Sequence, residues 1–387
     1  MIDTGAAGAR DIRVVLWGLS DTGKPRVRLL RDGLRSNGVE VLECRADLWS
    51  GIEDKSQVKS AGRWLLLCAR AFAAYPLLIW RYMRMPRHDW VLLGYPAIPD
   101  IFVIRLFAWL RGSRIAFDWF LSAYDTIVLD RKLIGPRNPA AWLIRAVEWV
   151  AVRLADCVFM DTRAHAGRME HLFGLPGNTC GRVFVGAEAD FFRQPPLPKT
   201  DRGPLKVLFY GQFIPLHGAP TIVEAARRLR EAPVDWTLIG AGQEAAAVRE
   251  MLDSDPLPRV RWLPWVPYEQ LHKHIAEADV CLGIFGQSDK AASVIPNKVF
   301  QALASGKTII TRDSPAIREL PDDLLATIRL VPAAAPDALA SCVMDLAQTK
   351  HPEPPTLAST GMLAAPAIGQ QLLALLHAPP LRHRNDR

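Results

Sequence analysis

The sequence predicts an α/β protein made of two doubly wound domains, and three observations support this. Short apolar segments alternate with helix-like segments in both halves of the 387 residues, a pattern typical of parallel sheets covered by helices on both faces. A stretch with four prolines, residues 191–204, separates the halves and predicts a linker. With 50% hydrophobic and 22% charged residues, the composition excludes wholesale disorder. We predict a first domain over 1–195, a second over 196–362, and a C-terminal helix with a frayed tail over 363–387.

Strands and helices alternate regularly in both predicted domains. In the first half the predicted elements are strand 12–17, helix 25–36, strand 39–43, helix 60–84, strand 89–94, helix 98–112, strand 114–117, helix 138–154, strand 156–160, helix 162–173 and strand 182–185. The second half adds strand 207–211, helix 219–230, strand 236–240, helix 243–252, strand 259–263, helix 268–276, strand 279–284, helix 296–304, strand 307–311 and a helix near 364–377. Since ligands bind beyond the carboxyl ends of such strands, two facing domains predict a ligand cleft between them.

The charge and the tryptophans are concentrated in the first half. Up to residue 195 there are 27 Lys and Arg against 20 Asp and Glu, and the remainder holds 20 of each, so the net charge of +7 belongs to the first half. That half also contains nine of the 12 Trp. The sequence contains no zinc finger, RNA-recognition signature or long basic block. We therefore favour an anionic lipid surface or an anionic substrate over nucleic acid as the partner.

Cysteine and histidine spacing argues against a metal site or a disulfide framework. The six Cys form no Cys-x-x-Cys pair, and the nine His form no His-x-x-x-His motif. We expect no bound metal and a reducing cytoplasmic location. The first residues, MIDTGAAGARD, lack the pattern of a signal peptide. Asp253 and Asp255 resemble a metal-binding Asp-x-Asp, but their place between a helix and a strand favours a polar turn.

The longest apolar run, residues 64–80, has two interpretations. At 17 residues with Arg70 inside it, the run is shorter than the roughly 20 apolar residues that span a bilayer. It predicts either a buried amphipathic helix or a helix lying on a membrane surface.

The strongest local signal is VIPNKVFQALASGKTIIT, residues 294–311. Pro296 suits a first helical position, and a helix starting at Asn297 would present free backbone N–H groups to an anion. Lys298 adds a full charge at that end, and Lys290 lies in the preceding loop. The motif predicts a phosphate site, although a solvated lysine on an ordinary helix fits the same letters.

A second signal is FYGQFIPLHGAPTIVEA, residues 209–225, in which a strand ends at Gly211 and Gly218 precedes a helix. Glycine-rich strand-to-helix turns let backbone approach a diphosphate. By itself this pattern also fits a plain connecting loop.

Together these segments resemble glycosyltransferase family 4. The resemblance rests on GQFIPLHGAPTIVEAARRL, LIGAGQE, ADVCLGIF and IPNKVFQALASGK in the second half, and on FDWFLSAYDTIVLDRK and VFVGAEADFF in the first. It covers roughly residues 12–330. It implies the GT-B fold, two Rossmann-like domains facing each other across a cleft. It also implies a retaining transfer from a nucleoside diphosphate sugar, bound mainly by the second domain, with no bound cofactor or metal.

The resemblance assigns donor-binding residues, some of which depart from the family pattern. The assigned residues are Gly211, Gln212, His217, Gly240, Lys290, Ser293, Pro296, Asn297, Lys298 and Gln301. Gln212 and His217 stand where the family has Arg and Lys, and Ser293 and Gln301 stand where it has a pair of glutamates. Gln301 can still hydrogen-bond hydroxyl groups, and Lys290 and Lys298 can replace the missing positive charge.

On the acceptor side, the family's histidine falls on Asp118. A carboxylate there could orient or deprotonate an acceptor hydroxyl, or it could cap the next turn. Asp125 is a second candidate. Gly18 and Lys24 delimit GLSDTGK, a near miss for a phosphate-binding loop in which Pro25 replaces the required Ser or Thr. The resemblance makes this segment a loop facing the cleft.

The sequence therefore predicts a hexosyltransferase with Asp118 and Lys298 as catalytic residues. The basic, Trp-rich first half suggests a lipid-linked or glycan acceptor in polysaccharide or glycolipid assembly, and peripheral contact with the inner face of the membrane. Alternatives are a GT-B sugar-nucleotide epimerase and a degenerate, non-catalytic scaffold that binds nucleotide sugars.

Overall fold

Two parallel six-stranded sheets form the protein. The structure, a computed structural model, describes residues 12–49, 61–192, 203–348 and 360–378. Within these residues the first sheet contains β1 (Arg13–Gly18), β2 (Glu40–Arg45), β3 (Trp90–Leu93), β4 (Arg114–Asp118), β5 (Cys157–Met160) and β6 (Cys180–Arg182). The second contains β7 (Leu205–Tyr210), β8 (Val234–Ile239), β9 (Val260–Leu263), β10 (Val280–Leu282), β11 (Thr308–Arg312) and β12 (Ile328–Val331). The predicted pair of doubly wound domains is confirmed.

Helices connect the strands in both domains. The first domain contains α1 (Pro25–Ser36), α2 (Ala61–Arg84), α3 (Ile98–Leu110), a π-helix (Asp125–Asp130), α4 (Pro139–Leu154), α5 (Arg163–Phe173) and α6 (Ala189–Phe192). The second contains α7 (Ala219–Arg228), α8 (Ala245–Ser254), α9 (Tyr268–Glu277), α10 (Asp289–Ser293), α11 (Asn297–Ala304), a 3₁₀ turn (Ile317–Glu319), α12 (Asp322–Leu325) and α13 (Pro336–Gln348). A C-terminal helix, α14 (Ala365–His377), ends the described chain.

The strand order places a topological switch point in each sheet. The first sheet runs β2-β1-β3-β4-β5-β6 and the second runs β12-β11-β10-β7-β8-β9. The winding direction therefore reverses between β1 and β3, and again between β7 and β10. Crevices beyond the carboxyl ends of strands at such points are the ligand sites of doubly wound sheets.

Apolar packing joins the two domains. One cluster includes Leu34 and Val183 of the first domain and Val299 and Leu303 of the second. Phe184 and Phe300 meet across the boundary with ring centroids 5.9 Å apart. The cleft is therefore closed at its base by a continuous hydrophobic contact.

The C-terminal helix packs on the first domain. α14 lies along α1, and a Cβ added to Gly33 would be 2.3 Å from the Ala365 carbonyl oxygen. Only glycine at this position allows the two helix backbones to approach so closely. The predicted helix near 364–377 is confirmed, whereas the predicted tail and N-terminus lie outside the described residues. So does most of the predicted linker.

Several boundaries differ from prediction. The strand expected at 182–185 is β6, which ends at Arg182; the next residues are buried, and Val183 N still donates to the Met160 carbonyl of β5 at 2.8 Å. β12, α13 and the short helices were not predicted, since each is short or weakly periodic. Pro296 is the N-cap of α11 rather than its first residue, with an extended backbone at ψ 151°.

The helix expected near 60–84 forms, and of the two interpretations given for it, the buried amphipathic helix does not agree with its exposure. The window Leu65–Arg84 is long and apolar enough by length and composition to cross a membrane, contrary to the estimate from the shorter run. Only 22% of that window is buried.

Candidate active site

The candidate donor site lies at the switch point of the second sheet. Gly211 follows β7 directly, and its φ of +141° disfavours any side chain. A Cβ at Gly211 would lie 2.9 Å from the Lys298 Nζ and 3.0 Å from the His217 Cε1. Gly240, after β8, lies against Gly211, since its own Cβ would be 1.9 Å from the Gly211 carbonyl oxygen. The structure thus brings together four predicted residues from β7, β8, the following loop and α11.

Lys298 is a buried ammonium group with no polar partner among the described residues. Its side chain is in the first turn of α11, only 5% of the residue is exposed, and its Nζ finds no hydrogen-bond acceptor among the described residues. The Nζ lies 3.8 Å from the ring centroid of Phe209, a cation–π contact. Burial without an anion lowers the pKa of Lys298 well below its ordinary value. A phosphate at this position would supply the missing negative charge.

Gln212 and His217 shape the loop after β7. The His217 ring contacts the Gln212 carbonyl oxygen through Nδ1. Burial, together with the nearby Lys298 charge, lowers the pKa of His217 well below its ordinary value, so the ring is neutral. Gln212 turns its side chain toward the first domain, where its Oε1 accepts from Arg131 at 3.2 Å. Neither residue brings a positive charge to the site.

The two positions that depart from the glutamate pair are both buried. Gln301 accepts from the Tyr210 hydroxyl at 3.0 Å and donates to the Tyr268 hydroxyl at 2.9 Å. Ser293 donates to the carbonyl oxygen of Lys290 at 3.0 Å, within its own helix. Both side chains therefore organise the second domain, and Gln301 does so through two tyrosines that sequence reasoning missed.

Lys290 reaches across the cleft to the π-helix of the first domain. Its ammonium donates to Thr126 Oγ1 at 2.5 Å and lies 3.5 Å from an Asp125 oxygen. The other Asp125 oxygen accepts from Arg168 at 2.5 Å. Burial is the largest influence on Lys290 and lowers its pKa, against the opposing effect of Asp125. Asp125 and Thr126 thus hold the Lys290 ammonium against the π-helix.

The π-helix carries further cross-cleft contacts. Asp130 accepts from the Ser288 hydroxyl at 2.9 Å, and the Arg131 carbonyl accepts from Gln243 at 3.2 Å. Asp130 and Arg131 therefore both contact the second domain. Short π-helices recur at functional sites. The FDWFLSAYDTIVLDRK segment signalled this region, but not that it is π-helical.

Asp118 is enclosed in an ion pair. It ends β4 and is almost fully buried, and both of its oxygens accept from Arg26 Nε at 2.9 and 2.8 Å. Arg26 Nη2 donates to Oδ1 at 2.7 Å. Its Nη1 donates to the Val183 carbonyl at 2.9 Å. In this arrangement Asp118 joins the end of β4 to Arg26 of α1, and through Arg26 to the Val183 carbonyl.

The loop between Gly18 and Lys24 lies at the switch point of the first sheet and is held by buried hydrogen bonds. Asp100 accepts from Leu19 N at 2.8 Å and from the Tyr75 hydroxyl at 2.9 Å. Burial raises the pKa of Asp100 to about 7. Lys24 is the N-cap residue of α1 and is partly exposed.

An apolar cavity of about 220 Å³ lies beside this loop in the first domain. Its lining residues come from the segments after β3 and β4 and from the π-helix: Tyr95, Pro96, Ala97, Ile98, Phe117, Asp118, Trp119, Leu121, Ser122, Ala123, Thr126 and Ile127. The buried Glu148 of α4 fixes one wall by accepting from Ser122 Oγ at 2.8 Å and from Tyr124 N at 2.9 Å. Thr126, which binds Lys290, links the cavity to the donor side.

The fold is the GT-B fold, with two parallel six-stranded sheets. Residues 204–349 match the family model described as "Glycosyl transferases group 1", which spans the second domain and its donor-site residues.

Solved structures and a curated relative resemble the chain as follows. Anabaena Alr3699/HepE in complex with UDP-glucose aligns with a TM-score of 0.62 and 13% identity, covering 94% of this chain and 99% of that one. The lipopolysaccharide outer core galactosyltransferase WaaB aligns with a TM-score of 0.57 and 13% identity, covering 94% and 98%. A curated protein of Salmonella paratyphi C named ribonuclease BN is 27% identical over 192 residues, covering 47% of this chain and 54% of its own. The chain thus spans about half the length of the curated relatives it matches.

Proposed function

We propose that the protein is a retaining glycosyltransferase of family 4, which moves a sugar from a nucleoside diphosphate sugar to an acceptor hydroxyl. The observation that carries the proposal is the Lys298 ammonium, which is buried beside Gly211 at the switch point of the second sheet and has no hydrogen-bond partner within the described part of the chain. A buried lone cation is costly unless a ligand supplies the opposite charge. A diphosphate is the ligand whose charge and place fit.

The departing diphosphate is the part of the reaction that these residues assist. The bond between the anomeric carbon and the diphosphate oxygen breaks, and negative charge accumulates on that oxygen. Lys298 and the backbone at Gly211 are fixed before the reaction, so they stabilise that charge without reorganising. Lys290 adds a second cation once it leaves Asp125.

The acceptor forms the new bond from the same face of the sugar, as the resemblance implies. Its hydroxyl oxygen attacks the anomeric carbon, and its proton passes to the departing diphosphate oxygen. No covalent enzyme intermediate is needed. Since Arg26 occupies both Asp118 oxygens, we assign Asp118 to holding the acceptor pocket rather than to proton abstraction.

The acceptor binds over the first domain in this proposal. The cavity of about 220 Å³ is largely apolar, which suits the non-sugar part of a lipid-linked acceptor better than a free glycan. This supports a role in glycolipid or polysaccharide assembly on the cytoplasmic face of a membrane. The structural resemblance to WaaB, a lipopolysaccharide outer core galactosyltransferase, supports such a role.

Thermal shift against nucleoside diphosphates and their sugars, with and without EDTA, tests the donor site. We expect one nucleotide class to raise the melting temperature, since ligand binding stabilises the folded state, and EDTA to leave that shift unchanged. Incubation with the identified donor and a lipid-linked acceptor then tests transfer. NMR of the product then tests retention: the anomeric proton should keep the axial or equatorial orientation that it has in the donor.

Two outcomes would redirect the proposal. Conversion of the nucleotide sugar without acceptor would indicate an epimerase. Donor binding without transfer across an acceptor panel would indicate a scaffold, the alternative that the uncharged Ser293 and Gln301 keep open.

A further inference from the structure

Three neighbouring helices of the first domain expose an unusual amount of apolar surface. α3 packs between α2 and α4 on the outside of the first sheet. The exposed large apolar side chains on these helices are Leu65, Leu66, Phe72, Leu77, Trp80, Met83, Phe102, Leu106, Trp109, Leu110, Trp142, Leu143, Val147, Trp149 and Val150. Phe72 is 75% exposed, Trp109 67% and Trp142 73%. We call this surface the α2–α4 face.

The charge on the α2–α4 face is of one sign. The acidic residues within the three helices, Asp100 and Glu148, are 0% and 1% exposed and are hydrogen-bonded inside the domain. Arginines supply the charge, and those with described side chains are Arg70, Arg81, Arg84, Arg105, Arg145 and Arg153. Arg105 pairs with Asp156 at the edge of the face. A protein partner would have to match a surface that combines broad apolar exposure with arginines alone, whereas an anionic bilayer offers both features at once.

Two tryptophans of the face are stacked under arginines. The Arg84 guanidinium lies 3.9 Å from the ring centroid of Trp80, and that of Arg153 lies 3.8 Å from Trp149. Such pairs place an amphipathic ring and a cation at the same depth. This arrangement suits the boundary between lipid headgroups and acyl chains.

Helix α2 lies along the domain surface and is attached to it. Leu67, Tyr75, Leu78 and Tyr82 form its inner stripe in the core beneath. Tyr75 donates to Asp100 at 2.9 Å and stacks on Trp17 at 6.0 Å. Crossing a bilayer would require breaking these contacts, so the helix fits a surface position despite its length.

We propose that the α2–α4 face docks on a bilayer of anionic phospholipids. The inference deepens the proposed function, on which only its meaning for the acceptor rests. Ile98 is both the first residue of α3 and part of the lining of the apolar cavity. Glu148 of α4 holds another wall of that cavity. Docking through these helices therefore brings the cavity to the membrane, where a lipid-linked acceptor can enter it.

Flotation of the full chain with vesicles tests the face. The vesicles contain phosphatidylcholine alone or mixed with phosphatidylglycerol. We expect binding only to the mixture, and weaker binding at high salt, because the arginines are screened. Phe72→Glu and Trp109→Glu should each weaken binding about tenfold or more, since each removes a large apolar side chain from the bilayer and adds a negative charge.

Trp265→Glu is the matched control. Trp265 is 60% exposed and belongs to the second domain, so the same substitution there should leave vesicle binding unchanged. Circular dichroism melting should show equal stability for the three variants, since all three positions are exposed.

Several results would overturn the proposal. They are equal vesicle binding by Trp109→Glu and Trp265→Glu, binding that ignores phosphatidylglycerol, and retention in vesicles after an alkaline carbonate wash, which would indicate a spanning helix. A concentration-dependent dimer in lipid-free buffer, abolished by Trp109→Glu, would assign the face to a second copy of the chain. Nucleotide binding by thermal shift should be unchanged in Trp109→Glu. If the unmodified chain shows no nucleotide-induced thermal shift, that result would count against the proposed function alone.

Discussion

Each domain buries a charged side chain near the carboxyl ends of its strands, and the two charges are partnered in opposite ways. In the first domain, Asp118 receives hydrogen bonds from Arg26 at 2.7 to 2.9 Å. In the second, the Lys298 ammonium has no hydrogen-bond partner among the described residues and lies 3.8 Å from the ring centroid of Phe209. The surroundings are otherwise alike, with apolar walls and little solvent.

The difference indicates what each domain contributes to the reaction. A buried ion pair that is complete within the chain leaves little capacity for a ligand charge. A buried cation without a partner is stabilised when an anion arrives, so its cost is recovered on binding. Under the proposed function, the second domain is therefore prepared for a charged donor, and the first keeps a mainly apolar pocket for an acceptor.

Removing the lone charge should have the largest effect. Lys298→Ala should lower turnover about 100- to 1,000-fold, the loss typical of one preorganised charge-stabilising group. Lys298→Met keeps the packing, and should preserve or raise the melting temperature without ligand while losing the shift caused by nucleotide. Turnover rates and thermal shifts measure the two effects. Full turnover in either variant would show that Lys298 does not bind the diphosphate.

Breaking the complete pair should affect folding instead. Arg26→Met leaves Asp118 buried and uncompensated, and should lower the free energy of unfolding by about 3–5 kcal/mol. Urea denaturation measures this. The double variant Arg26→Met with Asp118→Leu should recover part of the loss, because it removes the charge along with its partner. Unchanged stability in Arg26→Met would contradict the assignment of this pair to structure.

A third buried titratable side chain, Asp100, extends the comparison, because protonation near neutral pH removes its charge. Burial raises the pKa of Asp100 from 3.8 to about 7, so the folded state binds a proton more tightly than the unfolded state. The stability from this proton is fully present below about pH 4 and is lost as the pH rises through about 7. The loss is at most about 1.4 kcal/mol per pH unit.

Asp100→Asn should remove that part of the pH dependence. Urea denaturation between pH 4 and 8 should show a smaller fall in unfolding free energy for the variant than for the unmodified chain. Parallel curves for the two proteins would mean that Asp100 is ionised throughout this range.

The smallest expected effect concerns the contact between Lys290 and Asp125, which joins the second domain to the π-helix of the first. Asp125→Asn should release Lys290 toward the donor and tighten nucleotide binding about threefold to tenfold, the size of one partly screened ion pair. Titration calorimetry measures the affinity. Asp156→Asn, which alters the Arg105 pair away from the cleft, should leave affinity unchanged. Weaker nucleotide binding in Asp125→Asn would show that this carboxylate supports the donor site directly.

The sequence predicts most of the fold because glycine and proline mark its boundaries. α1 begins at Pro25 and ends at Ser36, as its proline start and the following glycine indicate. The donor loop was also predictable, since Gly211 and Lys298 belong to motifs of recognisable spacing. Backbone conformation and a short run of residues determine these features.

Features that depend on distant partners were not predictable. The π-helix differs from an α-helix in its hydrogen-bond register, and its residues bind Ser288 and Lys290, which are far away in the sequence. Likewise, the sequence around Asp118 does not show that Arg26, which is distant along the chain, forms an ion pair with it. The apolar run in α2 identified a helix, but whether its outer surface is covered depends on what packs beside it.

The packing of α14 on α1 has a mechanical consequence. The chain passes from the first domain to the second and then returns to the first, so the second domain is attached to the first at both of its ends. With both ends of the second domain attached to the first and apolar packing between the two domains, we expect relative rotation of the domains to be restricted. This restriction would keep Lys290 in register with the π-helix.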